Sequence, residues 1–284
     1  MKLRIGITTR NRAALLPKAI ESALAQDYPH KEVIVYDIAS TDDTPQLREK
    51  FPQVLWLRSE TRLDMISPRN QLMQETDAEF YFTLDDDAWF LVPDALRYGM
   101  ELMQRDPKLA VLAYDILLPG SHPLPARQLP RPAHLFTACG ALFRLSALKQ
   151  VGYYRPVPAV YGGAEEVDLC LRLFDAGFDV LKAEGTHVWH EKTQVGRDNN
   201  EQFSSNVCNE LTTTLAVAPN RIAAPLLAWK AFRYGLNALK GGRLSAYCSG
   251  MKLFAKSARK TFRQRTPVSM NAYREFVRRR KAVS

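Results

Sequence analysis

Phe80-Tyr81-Phe82-Thr83-Leu84-Asp85-Asp86-Asp87-Ala88-Trp89-Phe90 is the stretch on which the reading of the chain turns. A continuous apolar run ends in three aspartates, and a second apolar triplet follows. A run without apolar–polar alternation fits a short strand covered on both faces. Three adjacent carboxylates at its end repel one another unless something cationic sits among them. A hard divalent cation resolves the conflict: oxygen ligands suit Mg²⁺ or Mn²⁺, and Mg²⁺ typically shares one or two carboxylates with substrate phosphates. Asp85 and Asp87 are therefore expected at a metal–phosphate site. The competing expectation is an exposed acidic turn that caps the next helix.

Working back from this stretch, strands and helices alternate. Leu3, Ile5 and Ile7 read as a first strand, followed by the loop Thr8-Thr9-Arg10-Asn11-Arg12 and a helical pattern over 13–26. Val33-Ile34-Val35 is a second strand that runs into Tyr36 and Asp37. Ser40-Thr41-Asp42-Asp43-Thr44 then has the side chains of a helix N-cap. Val54-Leu55-Trp56 is a third strand, and 68–76 a helix. This rhythm predicts an α/β fold with a mainly parallel sheet flanked by helices. Ligands of such sheets sit beyond the carboxyl ends of the strands, so Asp37 and Asp85–Asp87 are expected to share one crevice. Gly6 stands alone after the first strand. Neither a dinucleotide fingerprint nor a phosphate-loop motif follows it, which argues against a dehydrogenase or a nucleoside triphosphatase. A nucleotidyltransferase would want a Gly-rich, Arg-containing loop there, and none is present.

Working forward, 94–105 reads as a helix and Leu109–Leu118 as a strand. Five prolines between 119 and 134 exclude regular structure there and mark a long loop, of the kind that is either functional or disordered. Cys139–Arg144 reads as a strand, with Ser146 capping a short helix after it. Gly162-Gly163-Ala164-Glu165-Glu166-Val167-Asp168 then opens a helix that Gly177 ends. Acids crowd the start of that helix, where the dipole favours them. They serve either as simple caps or as a general base at the mouth of a cleft. His187 and His190 close a strand that starts near Val180. A strand histidine is usually structural, but at a strand end beside Asp87 it is a candidate metal ligand.

Composition bounds the alternatives. With 284 residues, 46% hydrophobic and 24% charged, the chain is ordinary for a soluble globular protein of one or two domains. Its cysteines, Cys139, Cys170, Cys208 and Cys248, are far apart, which fits a reducing, cytoplasmic setting rather than a disulfide framework. The N-terminus lacks a signal-peptide pattern, and no apolar run is long enough to span a bilayer. The net charge of +9 is unevenly spread: residues 219–284 hold 16 Lys and Arg against one acid, Glu275, so the remainder is net acidic. Such a tail points to a polyanionic partner.

Taken together, the motifs resemble family 2 of the inverting glycosyltransferases of GT-A fold. Thr8-Thr9-Arg10-Asn11-Arg12, Asp37 with Ser40-Thr41-Asp42, Arg69-Asn70, Asp85-x-Asp87, Gly163 with Glu165, Glu166, Asp168, Leu169 and Arg172, and finally His190 stand in the family's order. The resemblance covers about residues 3–192. It implies a catalytic domain over 1–192, with a nucleotide-sugar half about 1–90 and an acceptor half about 91–192, followed by a basic helical region over 193–284. It implies that Asp37 accepts from the nucleotide base with Thr8 and Arg10 bordering it. Arg69 would lie near base or diphosphate, and Asp85 and Asp86 would lie on the sugar nucleotide. Asp87 and His190 would hold Mn²⁺ or Mg²⁺, and Glu166, or its neighbour Glu165, would be the base. The activity implied is transfer of a sugar from a nucleotide diphosphate sugar to an acceptor hydroxyl, as in polysaccharide, glycolipid or other glycoconjugate synthesis.

Residues 225–240 and 244–262 carry apolar side chains at steps of three and four with Lys and Arg between them, and read as amphipathic helices. They either pack on the catalytic domain with solvated basic backs or dock on a membrane surface, on the inner face of the cell membrane, where a lipid-linked acceptor would lie. Oligomer contacts are a further use of such faces. Arg278-Arg279-Arg280-Lys281 reads as a solvated end. Two rival functions remain: a sugar-nucleotide binder without turnover, and a nucleic-acid-binding protein acting through the tail, which steep salt dependence would reveal.

Overall fold

The computed structural model describes residues 1–123, 126–159, 161–192 and 198–282. Pro125 of the proline-rich stretch, the expected boundary at 193 and the last two residues of the tail lie outside the described residues. In chain order the elements are β1 (Leu3–Thr9), α1 (Leu16–Leu24), β2 (Lys31–Ile38), α2 (Leu47–Lys50), β3 (Leu55–Ser59), α3 (Ile66–Gln74), β4 (Phe80–Asp85), β5 (Ala88–Phe90), α4 (Ala95–Arg105), β6 (Leu109–Leu117), β7 (Arg131–Pro132), β8 (Gly140–Arg144), α5 (Leu145–Val151), α6 (Glu165–Asp175), β9 (Asp179–His190), α7 (Asn199–Val217), α8 (Asn220–Lys240), α9 (Leu244–Gln264) and α10 (Met270–Lys281).

Nine strands form one sheet in the order β3-β2-β1-β4-β8-β6-β9-β5, with β7 on β9. From β3 to β4 every pairing is parallel. Beyond β4 the sheet is mixed: β8 is antiparallel to β4 and β6, β6 and β9 run parallel, and β5 and β7 run antiparallel to β9. The α/β architecture with helices on both faces is thus as expected, and its second half is where the parallel rhythm stops.

The apolar run of β4 is divided between two cores. Phe80, Phe82 and Leu84 join Ile5, Ile7, Val33 and Val35 under α1 and α4. Tyr81 points the other way, into the core that includes Ile34, Tyr36, Phe143 and residues of α6. Gly6 has a packing reason rather than a phosphate-binding one: a Cβ there would lie 2.0 Å from the Tyr81 hydroxyl. At the end of α6, Gly177 takes φ +81°. The Phe178 N–H then reaches the Leu173 carbonyl at 2.9 Å, closing the left-handed cap that glycine permits.

Several local expectations change. Ser146 lies inside α5, which has no side-chain cap. The stretch 40–44 leads into a single 3₁₀ turn, Thr44–Gln46, before α2, and Asp42 bonds across to the first loop as well as to Thr44. The described part of the proline-rich stretch is irregular except for β7, whose pairing with β9 needs only two residues. The charged end is not solvated along its whole length. Phe276 is 7% exposed, and Arg279 donates to Asp179 at 2.6 Å and to the Val180 carbonyl at 3.1 Å. Both contacts dock α10 beside α6 and β9.

The 21-residue helices α8 and α9 begin and end close to the expected positions, α8 starting a turn earlier. They pack on α7 through Phe203, Val207, Leu211, Ala238 and Ala246. Among the described residues no helix is long and apolar enough to cross a membrane.

Candidate active site

The site is built from loops at the carboxyl ends of β1, β2, β4 and β9. The loop after β1 is fastened to the loop after β2. Asn11 N–H donates to Ser40 Oγ at 2.9 Å, Thr41 N–H to Asn11 Oδ1 at 2.8 Å, Arg12 N–H to Thr44 Oγ1 at 3.1 Å and Ala13 N–H to Asp42 Oδ2 at 3.1 Å. The polar motif after β2 is therefore a brace for the first loop. Left-handed backbone recurs at these junctions: Asn11 at φ 54°, Ala39 at 51°, Ala164 at 68° and Lys192 at 51°. For a residue with a Cβ such a conformation costs about 1–2 kcal/mol, and it persists only where surrounding contacts hold it.

A cleft of about 520 Å³ opens at these ends. Its wall gathers Thr8, Arg10, Arg69, Asp85, Asp86 and Asp87 from the expected set, together with Arg12, Arg62, Tyr161, Gly162 and Gln202. Asp37, Glu165, Glu166 and His190 stand outside that wall. Asp37 is 2% exposed; its Oδ1 accepts from Ser40 N–H at 3.0 Å, and its Oδ2 accepts from Arg58. Arg58 is its register partner on β3. Gln202, Arg58 and Arg62 are among the residues that motif reading passes over. Arg58 is recoverable from strand pairing, because the end of β3 lies beside the end of β2. Nothing in the polar sequence before α7 marks Gln202.

Two aspartates are tied down differently. Asp85 Oδ1 accepts from Arg69 Nη2 at 2.7 Å. Burial alone opposes the charge on Arg69, but Asp85, Tyr154, Glu165 and Glu166 more than offset it and hold the guanidinium firmly protonated. Asp86 faces Arg12 Nε at 3.9 Å. Burial pushes its carboxyl up to about 7, Asp85 and Asp87 add to the rise, and Thr9 and Arg12 act against it.

Asp87 is 2% exposed. Its Oδ1 lies 3.1 Å from His190 Nε2, which is 4.0 Å from Asp85 Oδ2. His190 Nε2 is buried and makes no well-directed hydrogen bond despite that close approach, so it is also placed to share a cation with the carboxylates. Cys139 closes a potential ligand group with Asp85 and His190. Burial raises its thiol well above the usual range, and its soft sulfur is a poor match for a hard cation. Two carboxylates and one imidazole remain, a donor set that fits Mn²⁺ or Mg²⁺.

Across Arg69 lies the start of α6. Glu165 accepts from the Gly163 N–H of its own entry turn. A Cβ on Gly162 would lie 2.4 Å from Glu165 Oε1. Glu166 is pushed up to about 7, first by burial and then by Glu165, while backbone N–H groups, Ala138 among them, and Arg69 pull the other way. Asp168 is structural: it pairs with Arg155 at 3.2 Å and accepts from Arg172 Nε at 2.8 Å. Arg172 in turn donates to the carbonyls of Val151 and Tyr153 at 2.5 and 2.7 Å. Asn70 holds the same turn from α3, donating to the Tyr154 carbonyl at 2.8 Å and accepting from its N–H at 3.1 Å.

A single mixed sheet in this strand order, flanked by helices and followed by C-terminal helices, is a GT-A-like α/β fold. The sequence profile described as Glycosyl transferase family 2 matches residues 4–152, and the chain belongs to that family. Among solved structures, S. aureus TarS 1–349 in complex with UDP-GlcNAc is similar at TM-score 0.63 and 16% identity, over 100% of this chain and 93% of that one. The mannosyltransferase PcManGT from Pyrobaculum calidifontis, in complex with GDP-Man and Mn²⁺, is similar at TM-score 0.61 and 16% identity, over 99% of this chain and 80% of that one. Against a longer S. aureus TarS chain the TM-score is 0.59 at 17% identity; 81% of this chain is covered and it spans 42% of that one. A search of curated proteins returns no match.

Proposed function

We propose that this glycosyltransferase moves a sugar from a nucleotide diphosphate sugar to an acceptor hydroxyl, with inversion and with help from Mn²⁺ or Mg²⁺. The observation that carries the reading is the convergence of His190 Nε2 with Asp85 and Asp87, the two acids lining a cleft that also carries Arg10, Arg12, Arg62 and Arg69. Acids for a cation and guanidinium groups for phosphate meet at one place. The similar structures with UDP-GlcNAc and with GDP-Man and Mn²⁺ support the same class of donor.

In this reading Asp87 and His190 hold the metal, with Asp85 and Asp86 on the sugar nucleotide and Arg69 on the base or diphosphate. When bound, the metal supplies positive charge that offsets the negative charge building on the departing diphosphate. Thr8 and Arg10 border the nucleotide. Asp37 reaches the base by sharing or exchanging its bond to Arg58, whose side chain is 43% exposed.

Glu166, with its carboxyl near neutrality, takes the proton from the acceptor hydroxyl, and Glu165 braces the entry turn beside it. The acceptor oxygen forms the new bond to the anomeric carbon. The bond from that carbon to the phosphate oxygen breaks on the opposite face, and the nucleoside diphosphate leaves with the electron pair. Residues 1–192 would form the catalytic domain, its first half binding donor and its second half binding acceptor. The helices after 193 would add Gln202 to the cleft. We place the reaction in the cytoplasm on account of four free thiols, and in glycolipid, polysaccharide or other glycoconjugate synthesis because the family is one of sugar transfer.

The test is a thermal-shift panel of UDP, GDP, dTDP and CMP with and without Mn²⁺. A rise in melting temperature for one diphosphate, larger with Mn²⁺, is expected by mass action. Equal, metal-independent responses to all four would refute the reading.

A further inference from the structure

Helix α8 has two apolar faces. Leu227, Ala231, Tyr234 and Ala238 turn inward onto α7 and α9. Trp229, Phe232, Leu236 and Leu239, at steps of three and four, stand 53%, 64%, 41% and 60% exposed. At 3.6 residues per turn this second stripe lies about 150° around the helix from the first. An amphipathic helix of a globular domain needs only one such face, so the outward stripe is surplus to packing.

Charge decides what covers it. Arg221, Arg233 and Lys240 are exposed on the same side, and the Arg233 guanidinium lies over the Trp229 ring at 4.9 Å. From residue 219 to 268 the chain has 11 Lys and Arg and no acid. A second copy packed on this face would bring the same cations together without a counter-charge. Nucleic acid would satisfy the cations and leave the four large apolar side chains in water. An anionic lipid surface satisfies both, since apolar side chains enter the acyl boundary while Lys and Arg stay among the headgroups.

We propose that the outward face of α8 docks on an anionic bilayer surface, with Trp229, Phe232, Leu236 and Leu239 entering the interface and Arg233 and Lys240 on the headgroups. The last helix is not used that way: α10 is committed to α6 and β9 through Phe276 and Arg279. α7 links the two regions, because Gln202 lines the cleft while Phe203, Val207 and Leu211 hold the α8–α9 pair. Docking would thus bring the cleft close to acceptors that reside in the bilayer. The inference does not depend on the proposed transfer reaction.

The experiment is co-sedimentation of the full chain with vesicles of phosphatidylcholine alone and of phosphatidylcholine mixed with phosphatidylglycerol. Binding is expected only to the mixed vesicles. The double variant Phe232→Ser/Leu239→Ser should weaken it at least about tenfold, with circular dichroism and any nucleotide-induced thermal shift unchanged. The same affinity in the double variant would overturn the proposal, as would failure to bind anionic vesicles. So would a light-scattering mass that halves on substitution, which would assign the stripe to a second copy. Binding of duplex DNA in place of vesicles would assign the cations to nucleic acid.

Discussion

Replacing Glu166 by Gln tests the proposed base through two independent readouts. Its carboxyl is moved from 4.5 to about 7 because the folded site buries it beside Glu165. The fold therefore favours the protonated form. That favourable contribution is fully present below the unfolded value and is lost as pH rises through the folded one. At about 1.4 kcal/mol per pH unit, the loss is about 3 kcal/mol on going from about pH 4 to above about pH 8. Glu166→Gln keeps the shape and has no proton to lose. Denaturant titrations at several pH values should show the variant gaining stability over the wild type as pH rises, approaching about 3 kcal/mol. Turnover gives the second readout. The wild-type rate should climb with pH through about 7 as the carboxylate forms. The variant should lose about 10²–10⁴-fold in rate while retaining its nucleotide-induced thermal shift. A variant whose stability follows the wild-type pH curve, or that turns over normally, would refute both the buried carboxyl and its role.

Asp87→Ala should remove the extra thermal shift that Mn²⁺ gives to a diphosphate, leaving the metal-free response, as read in the same panel. Arg69→Ala should cost about 3–5 kcal/mol in denaturant titrations, because it leaves Asp85 and the α6 acids without the cation they surround. Arg279→Ala should cost about 1–3 kcal/mol and make α10 the first site of limited proteolysis, since it removes bonds to Asp179 and the Val180 carbonyl.

The run at 80–90 was readable because burial on both faces writes itself as an unbroken apolar stretch, and the structure divides that stretch between two cores. The β1–β4 rhythm was readable for the same reason. The mixed half of the sheet was not, because antiparallel β8 enters after a long irregular stretch that carries no periodicity.

Helix α7 was hidden by its polarity. Ser204, Ser205, Asn209 and Thr212–Thr214 are all buried in it. Asn209 donates to the Tyr161 carbonyl at 2.7 Å, and Thr214 Oγ1 to the Glu210 carbonyl at 2.7 Å. Sequence patterning reads such residues as surface, whereas local and tertiary bonds satisfy them inside. The arginines at the end of the chain read as solvated for the converse reason: Arg279 lays its guanidinium over Phe174 at 4.7 Å and finds carboxylate and carbonyl partners. In the candidate site, the meeting of Asp85, Asp87 and His190 was legible from order along the chain. That Arg58 occupies Asp37 could emerge only once β2 and β3 were in register.

The two bonds between the Asn70 amide and the Tyr154 backbone act as a single rung, as though α3 lent one residue of strand to the turn below it. α3 cannot slide along the sheet without dragging that turn. Its preceding residue, Arg69, grips Asp85, while the turn is riveted to Arg172 at the far end of α6. The grip on Asp85 and the seating of the turn that Arg172 holds thus share one short helix, so neither is built independently of the other.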